Sequence, residues 1–213
     1  DTTDDDVAGF TVDQLDGSTE VTEAGSTDTF TVVLDAQPTS DVVITVTPND
    51  ISEVSTSGTL TFTPLNWDTP QTVTVTGVDE DIVDGTIIST ITLAVVDATS
   101  NDNFDAVADQ TVSVSTTDDD VAGFTVDELD GSTEVDESGT TDTFTVVLDA
   151  QPTTDVVISL TTDDTGEATV DSSLTFTSAN WDTPQTVTVT GVDDSVIDGT
   201  ITSTITVAVD DAN

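Results

Sequence analysis

The strongest constraint on the fold is an internal duplication with an offset of 114 residues. Residues 1–99 align with residues 115–213 without a gap, and 71 of these 99 positions are identical. A period of this length corresponds to a whole domain rather than to one turn of a solenoid. We therefore expect two domains in series, a first repeat over residues 7–120 and a second repeat over residues 121–213.

The duplication also suggests how the two ends of the sequence relate to the repeats. Residues 2–6 match residues 116–120, so we interpret residues 1–6 as the tail of a preceding repeat. Asn213 aligns with Thr99, which leaves the second repeat without a counterpart of residues 100–117 in this sequence. Two interpretations remain open: the sequence is a window from a longer array, or a neighbouring chain supplies the missing last strand.

Apolar and polar residues alternate within each repeat, in short runs separated by Gly, Pro, Asn and Asp. Alternation of this kind indicates strands that have one buried face. Seven short strands in about 110 residues are typical of an immunoglobulin-like sandwich. We therefore predict an all-β chain of two tandem seven-stranded sandwiches, the second lacking its last strand here. The strands of the first repeat are predicted over 9–12, 29–35, 41–47, 59–63, 71–76, 86–96 and 111–116.

The charge of the chain limits its possible partners. The sequence has 44 acidic residues, no Lys, Arg or His, and a formal net charge of −44. Nucleic acid and anionic membrane surfaces are excluded as partners, because no basic group is present to contact phosphate. The absence of Cys and His also removes the ligands that transition metals prefer. No apolar run approaches the roughly 20 residues needed to span a bilayer, and we expect an extracellular or cell-surface segment of a longer secreted chain.

Runs of three aspartates occur at equivalent positions of the duplication. Adjacent carboxylates repel one another and need a counter-charge, so we expect a bound divalent cation. A solvated acidic linker and adaptation to high salt are the alternative interpretations. The two runs are Asp4, Asp5 and Asp6 at the start, and Asp118, Asp119 and Asp120 at the end of the first repeat.

Further acids should join these runs, because three connections and the end of the last strand share one pole of such a sandwich. Carboxylate oxygens in large number suit Ca²⁺, which takes about 6–8 oxygen ligands, and roughly two to four ions per pole are expected. In the first repeat these acids are Glu20, Glu23, Asp50, Glu53, Asp79, Glu80, Asp81, Asp84 and the run 118–120. In the second repeat they are Glu134, Glu137, Asp163, Asp164, Glu167, Asp193, Asp194 and Asp198.

Three motifs give the repeat a resemblance to a known family. They are Val21-Thr22-Glu23-Ala24-Gly25, Gly77-Val78-Asp79-Glu80 with Asp84 following, and Val112-Ser113-Val114 running into the aspartates 118–120. The repeat resembles the Calx-β domain of sodium–calcium exchangers, an integrin β subunit and bacterial surface proteins. The resemblance implies Ca²⁺ binding by these loops, with Glu23, Asp50, Asp79, Glu80, Asp84 and Asp118–Asp120 as ligands. The run from Asn66-Trp67-Asp68 onward also looks like repeats of very long bacterial adhesins.

These features favour a calcium-stabilised structural extender of an extracellular bacterial adhesin or fibre, in which ions at the junctions rigidify a row of repeats. Its partners would be neighbouring repeats or subunits. One alternative is a filament subunit assembled by strand donation. Another is a module that binds cell-surface glycans or receptors, with Trp67 and Trp181 as stacking residues, although a core position is the plainer interpretation of both. We expect no enzymatic activity, because the acids are massed at a surface rather than paired in an apolar cleft.

Overall fold

The computed structural model describes residues 5–128, 131–197 and 199–210, which form two compact units. Unit 1 comprises Asp1–Glu80 and Asp84–Asp119, and unit 2 comprises Asp81–Val83 and Asp120–Asn213. The described residues form strands together with two single 3-10 turns, Asp97–Thr99 and Asp102–Phe104. The prediction of an all-β sandwich architecture is confirmed. No described helix has the length and apolar character needed to cross a membrane.

Unit 1 consists of two sheets, with nine strands among its described residues. The strand order is β1-β3-β7-β5 in one sheet and β2-β9-β8-β4-β6 in the other. The strands are β1 Phe10–Gln14, β2 Thr19–Thr22, β3 Thr27–Leu34, β4 Val42–Pro48, β5 Val54–Thr56, β6 Leu60–Phe62, β7 Gln71–Gly77, β8 Thr86–Val95 and β9 Gln110–Thr117.

Unit 2 repeats this arrangement with fewer strands. Its sheets have the orders β10-β11-β15-β13 and β14-β12-β16. The strands are β10 Phe124–Asp127, β11 Thr141–Leu148, β12 Val156–Thr162, β13 Ala168–Val170, β14 Ser173–Phe176, β15 Gln185–Gly191 and β16 Ile205–Val209. Within the described part of unit 2, no strand corresponds to β2 or to β9.

The core of unit 1 lies between its two sheets, because alternate side chains of each strand point inward. Phe30 and Val32 of β3 are fully buried, and so are Ile44 of β4, Val73 of β7 and Ile91 of β8. Burying an aliphatic or aromatic side chain of this kind stabilises the fold by about 1.5–3 kcal/mol. The alternation in the sequence therefore identifies the residues that hold the two sheets together.

Two short strands, β2 and β5, contradict the predicted count of seven strands. The sequence predicts a polar connection over 13–28 and a loop over 48–58, and each of these segments contains one of the two strands. β2 pairs in parallel with β9, and β5 pairs with β7. Only Thr19 and Val21 of β2, and only Val54 of β5, are buried. One or two inward residues are too few to produce a recognisable alternation.

The chain crosses from one sheet to the other between β1 and β2. Gly17 forms the turn with a φ of 92°, which favours glycine, and its N–H donates to the carbonyl oxygen of Gln14 at 3.0 Å. The crossing places β2 beside β9, with Thr19 opposite Val114 and Thr22 opposite Thr117. β2, near the start of the unit, therefore pairs with β9, the last strand of the unit.

The cores of the two units allow a matched test of packing. Phe30 of unit 1 is closely packed, whereas its counterpart Phe144 adjoins a cavity of about 1000 Å³ between the sheets of unit 2. We expect Phe30→Ala to lower the free energy of unfolding of unit 1 by about 3–5 kcal/mol, because a new cavity forms. Phe144→Ala should cost unit 2 less, because the space beside this ring is already open.

Denaturant unfolding followed by tryptophan fluorescence measures both losses separately. Each unit has one tryptophan, Trp67 or Trp181, so Trp181→Phe and Trp67→Phe backgrounds report on unit 1 and unit 2 in turn. Equal losses for the two alanine variants would contradict the difference in packing.

Candidate metal centre

Five carboxylates from four separate segments come together at one end of unit 1. Glu23 follows β2, Glu53 precedes β5, Glu80 and Asp84 lie between β7 and β8, and Asp118 follows β9. Single oxygens of Glu23, Glu53, Glu80 and Asp84 all lie within 4.8 Å of one another, and oxygens of Glu23 and Asp118 are equally close. Acids distant in sequence are thus brought to one place by the ends of the strands.

The position of Glu23 depends on the pairing of β2 with β9. Its N–H donates to the carbonyl oxygen of Thr117 at 3.1 Å, which continues the parallel pairing by one residue. The chain then turns at Gly25, whose φ is 80° and whose N–H donates to Thr22 at 3.1 Å. Residue 77 must be glycine for this packing, because a Cβ on Gly77 would lie 2.0 Å from the carbonyl oxygen of Thr22.

The loop between β7 and β8 positions Asp118. The Oδ2 atom of Asp118 accepts hydrogen bonds from the N–H groups of Asp84 at 2.9 Å and Gly85 at 2.8 Å. Gly85 has a φ of 80°, which allows the loop to turn its N–H toward the carboxylate. On the other side, the carbonyl oxygen of Glu53 accepts a hydrogen bond from Val78 at 2.9 Å. Backbone hydrogen bonds therefore hold these loops against one another.

Glu23 is the most unusual side chain of the cluster. It is 0% exposed, and neither of its carboxylate oxygens has a hydrogen-bond partner. Glu53 is 4% exposed, and its Oε2 atom also has no partner. Buried polar atoms are nearly always hydrogen-bonded, and an isolated buried charge is very costly. Since the chain contains no Lys, Arg or His, no basic side chain is present to neutralise the charge of Glu23.

Burial and repulsion between carboxylates both raise the pKa values of the two buried glutamates of the cluster. Burial raises the pKa of Glu23 to about 7, and repulsion from Asp118 and Glu53 adds to the shift. The pKa of Glu53 is also raised, first by burial and then by the charges of Asp84 and Glu80. Two unit charges 4.8 Å apart repel by about 3.5 kcal/mol at an effective dielectric constant of 20. The folded unit therefore holds these acids together against a substantial repulsion.

Asp50 and six exposed acids of the predicted set lie outside the close carboxylate groups that the structure describes in unit 1. Asp50 is half-buried, and its Oδ1 accepts hydrogen bonds from the N–H and hydroxyl of Ser52 at 3.1 and 2.6 Å, which lower its pKa. Asp120 is half-buried and is assigned to unit 2. Asp4 lies outside the described residues. The exposed members outside these groups are Asp5, Asp6, Glu20, Asp79, Asp81 and Asp119.

Glu53 is the residue that the family resemblance did not include among the ligands. The resemblance implied Asp50 in the same loop, but the side chain at the cluster is that of Glu53. Val54, the next residue, is fully buried as the first residue of β5. The sequence signal for Glu53 is its place in the acidic connection over 48–58, which the strand pattern assigns to the pole where the other acids gather.

The corresponding acids that the structure describes in unit 2 do not form a cluster of this kind. Among the described residues of unit 2, no three carboxylates from the unit itself approach one another as those of unit 1 do. Asp163 accepts a hydrogen bond from the N–H of Thr204 at 2.7 Å, and Asp164 accepts one from Gly166 at 2.9 Å. Asp198 lies outside the described residues. Glu134, Asp163, Asp164 and Asp193 are exposed, and Glu137, Glu167 and Asp194 are half-buried.

The donor set of unit 1 fits a hard divalent cation. Every side chain of the cluster offers carboxylate oxygens, and these are the ligands that Ca²⁺ prefers in its flexible coordination. Mg²⁺ prefers few carboxylates and retains several waters. The fully buried and unpartnered carboxylate of Glu23 is the observation that distinguishes this group from an ordinary patch of exposed acids.

Comparison with solved structures finds several β-rich proteins. The apo form of the Calx CBD1 domain is 17% identical, with 54% of this chain and 99% of that chain covered and a TM-score of 0.38. The calcium binding domain CBD12 of CALX1.1 is 14% identical over 88% and 76% of the two chains, with a TM-score of 0.33. Domains 5–6 of the S-layer protein SbsC are 21% identical over 96% and 92%, with a TM-score of 0.34.

Neither a protein-family model nor a curated protein matches the chain. The immunoglobulin-like sandwich architecture therefore rests on the strand order and on the buried faces described above.

The raised pKa of Glu23 predicts how the stability of unit 1 depends on pH in calcium-free buffer. Between its ordinary pKa of 4.5 and about 7, the folded state holds a proton that the unfolded state has released. The stabilising contribution is fully present below pH 4.5 and is lost as the pH rises through about 7. We expect the unfolding midpoint of unit 1 to fall across this window, as measured by Trp67 fluorescence.

The variant Glu23→Gln provides the control for this pH dependence. Without the titrating group, the fall in the midpoint should be clearly shallower, although Glu53 still contributes to it. An identical pH dependence in the variant and in the unmodified chain would show that Glu23 is not buried as described.

Proposed function

We propose that the chain is a calcium-stabilised structural module from the extended part of an extracellular bacterial surface protein, such as an adhesin or a surface fibre. Unit 1 holds Ca²⁺ through Glu23, Glu53, Glu80, Asp84 and Asp118. The bound ion stabilises the structure of unit 1 and takes no part in catalysis. Neighbouring repeats of the same kind are the partners of the module.

The fully buried carboxylate of Glu23 is the observation that carries this proposal. Both of its oxygens lack a hydrogen bond, and the groups around it are further carboxylates. A divalent cation among them would replace repulsion by attraction in a region from which water is largely excluded. Folding without the ion would leave the repulsion among the carboxylates uncompensated, so ion binding and the folding of unit 1 are coupled.

The position of the cluster in the chain supports a structural role. Its ligands follow β2, precede β5, lie between β7 and β8, and follow β9. An ion bound to all of them would hold the ends of four segments together. Asp118 is followed after one residue by Asp120, which belongs to unit 2, so the ion also fixes the point where the chain leaves unit 1.

The charge of the chain supports an extracellular role as a spacer. A formal net charge of −44 without any basic residue keeps such modules soluble and prevents them from adhering to one another. The near-identical duplication suits a row of repeated modules, because each copy supplies the same length and the same acidic end. Calcium at millimolar concentration outside cells would then occupy sites of even modest affinity, since extracellular calcium modules bind in the range of about 10⁻⁴ to 10⁻³ M.

A calcium titration tests the proposal directly. Saturating Ca²⁺ should stabilise unit 1 by about 2.7 kcal/mol at a concentration one hundred times the dissociation constant, because only the folded unit assembles the ligands. The unfolding midpoint of unit 1 would be measured by Trp67 fluorescence in calcium and in chelator. Glu23→Gln should remove most of the stabilisation, since it removes the carboxylate at the centre of the cluster.

Two matched variants serve as controls for this titration. Glu137→Gln changes the counterpart of Glu23 in unit 2, and Glu20→Gln changes an exposed acid three residues before Glu23. Both should leave the calcium response of unit 1 almost unchanged. The proposal is wrong if Ca²⁺ and chelator give the same midpoint, or if Glu23→Gln responds to calcium like the two controls.

Proteolysis tests the effect of the ion on the chain between the units. Trypsin has no site in this sequence, because there is no Lys or Arg, but a protease that cleaves after acidic residues can attack 118–120. We expect Ca²⁺ to slow cleavage there by at least about tenfold, because a coordinated Asp118 keeps this segment from opening locally. Mass spectrometry of the fragments identifies the site. Equal cleavage rates at 118–120 with and without calcium would argue against this role.

A further inference from the structure

Three hydroxyl groups are buried on the inner face of one sheet of unit 1, below the acidic cluster. They belong to Thr19 of β2, Ser89 of β8 and Thr116 of β9, whose exposed fractions are 2%, 1% and 0%. None of these hydroxyls has a hydrogen-bond partner among the residues that the structure describes. Buried hydroxyls are nearly always hydrogen-bonded, so three such groups in one core point to a small polar ligand.

The strand register places the three hydroxyls around one residue of β9. Val114 lies opposite Thr19 in the parallel pairing with β2, and opposite Ser89 in the antiparallel pairing with β8. Thr116 follows Val114 by two residues and therefore points to the same side of the sheet. Thr19 and Ser89 are thus both diagonal neighbours of Thr116 on this face. The hydroxyls form one polar patch in a core of aliphatic and aromatic side chains.

Glu23 continues this face of the sheet toward the acidic cluster. Val21 lies opposite Thr116, and Glu23 follows Val21 by two residues. The N–H of Glu23 donates to the carbonyl oxygen of Thr117 at 3.1 Å, so the pairing of β2 with β9 extends this far. Glu23 and Thr116 are therefore also diagonal neighbours, and such neighbours lie about 7–8 Å apart across paired strands. Both side chains are 0% exposed.

A single water molecule satisfies both of these side chains. The hydroxyl of Thr116 and the carboxylate of Glu23 make no hydrogen bond with each other or with any other described residue. Two O–H···O hydrogen bonds in series span about 5.5 Å, which suits two diagonal neighbours. A bridging water accepts the proton of the hydroxyl and donates one of its own to the carboxylate. An anion would be repelled by Glu23, and an apolar ligand would leave the hydroxyls unsatisfied.

From these observations we infer that unit 1 binds buried water on the core side of its acidic cluster, with one molecule bridging the hydroxyl of Thr116 and the carboxylate of Glu23. Thr19 and Ser89 extend this water site toward the middle of the core. Thr116 is thereby a positioning residue, because its hydroxyl orients the Glu23 carboxylate through the water. The inference does not rest on the proposed calcium function, since the side chains that hold the water are part of the folded unit itself.

A crystal structure of the chain at atomic resolution, grown in chelator, tests the inference directly. We expect an ordered water within hydrogen-bond distance of Thr116 Oγ1 and of a carboxylate oxygen of Glu23. The corresponding structure of Thr116→Val should lack this water. The inference is overturned if Thr116 Oγ1 donates directly to Glu23 or to a backbone carbonyl, or if no water lies between the two side chains.

Magnetic relaxation dispersion of the water oxygen counts the long-lived internal waters in solution. Thr116→Val should lower this number in chelator, whereas Thr116→Ser should keep it, because serine retains the hydroxyl. Thr111→Val is the matched control, since Thr111 belongs to the same strand but is exposed. An equal number of long-lived waters in Thr116→Val and Thr111→Val contradicts a water held by Thr116.

The sign of a stability change separates a bound water from an unsatisfied hydroxyl. If the hydroxyl of Thr116 were simply unpaired, Thr116→Val would remove a buried polar group and raise the unfolding midpoint of unit 1. With the bridging water, the substitution leaves the Glu23 carboxylate without its partner, and we expect the midpoint to fall relative to Thr111→Val. Trp67 fluorescence in the Trp181→Phe background measures it in chelator. A midpoint equal to or above that of Thr111→Val overturns the inference.

A calcium titration of the same variants tests the positioning role, and this arm alone rests on the proposed function. Loss of a group that orients a metal ligand typically weakens metal binding by about 10–100-fold. We expect Thr116→Val to weaken Ca²⁺ binding by at least about tenfold, and Thr116→Ser and Thr111→Val to change it little. Unchanged affinity in Thr116→Val would refute the positioning role. If the unmodified chain does not respond to calcium, the proposed function fails, while the measurements in chelator still decide whether the water is bound.

Discussion

The parallel pairing of β2 with β9 determines whether unit 1 can assemble its acidic cluster. This pairing joins the first sheet crossing of the unit to its last strand and places Glu23 next to the end of β9. Val21 of β2 is buried beside the paired strands, and its burial offsets part of the repulsion between the carboxylates beyond it. The charges come together because short-range packing holds the strands, and the proposed cation would convert a destabilising arrangement into a stabilising one.

Unit 2 serves as an internal comparison for this dependence. Residues 115–213 share 71 of 99 aligned positions with residues 1–99, including glutamates at the places of Glu23 and Glu53. Residues 133–136 nevertheless form no strand, and Glu137 remains half-buried. No described strand of unit 2 pairs with residues 133–136 as β9 pairs with β2 in unit 1. Nearly identical local sequence therefore does not suffice to form the cluster, which depends on tertiary pairing.

The sequence predicts the long strands well and the short ones poorly, for a physical reason. Strands such as β3 and β4 contain three inward residues each, so their alternation is evident. β2 and β5 bury too few residues to show a period, and their pairing depends on strands that are remote in sequence. The same dependence on pairing with remote strands explains why Glu53, and not Asp50, lies at the cluster. Both acids lie in one loop, and only the pairing of β5 with β7 determines that Glu53 faces the cluster while Asp50 binds Ser52.

Pairing of the last strand and binding of a cation are linked whenever both bring the same residues together. If the ion binds only where β2 and β9 are paired, then by reciprocity the ion stabilises that pairing by the same free energy. Asp118 belongs to both processes, because it follows the last paired residue and accepts hydrogen bonds from the β7–β8 loop. A change in calcium concentration would therefore act first on the edge formed by β2 and β9. The core between β3, β4, β7 and β8 contains no acidic residue among its buried side chains and has no direct dependence on the ion.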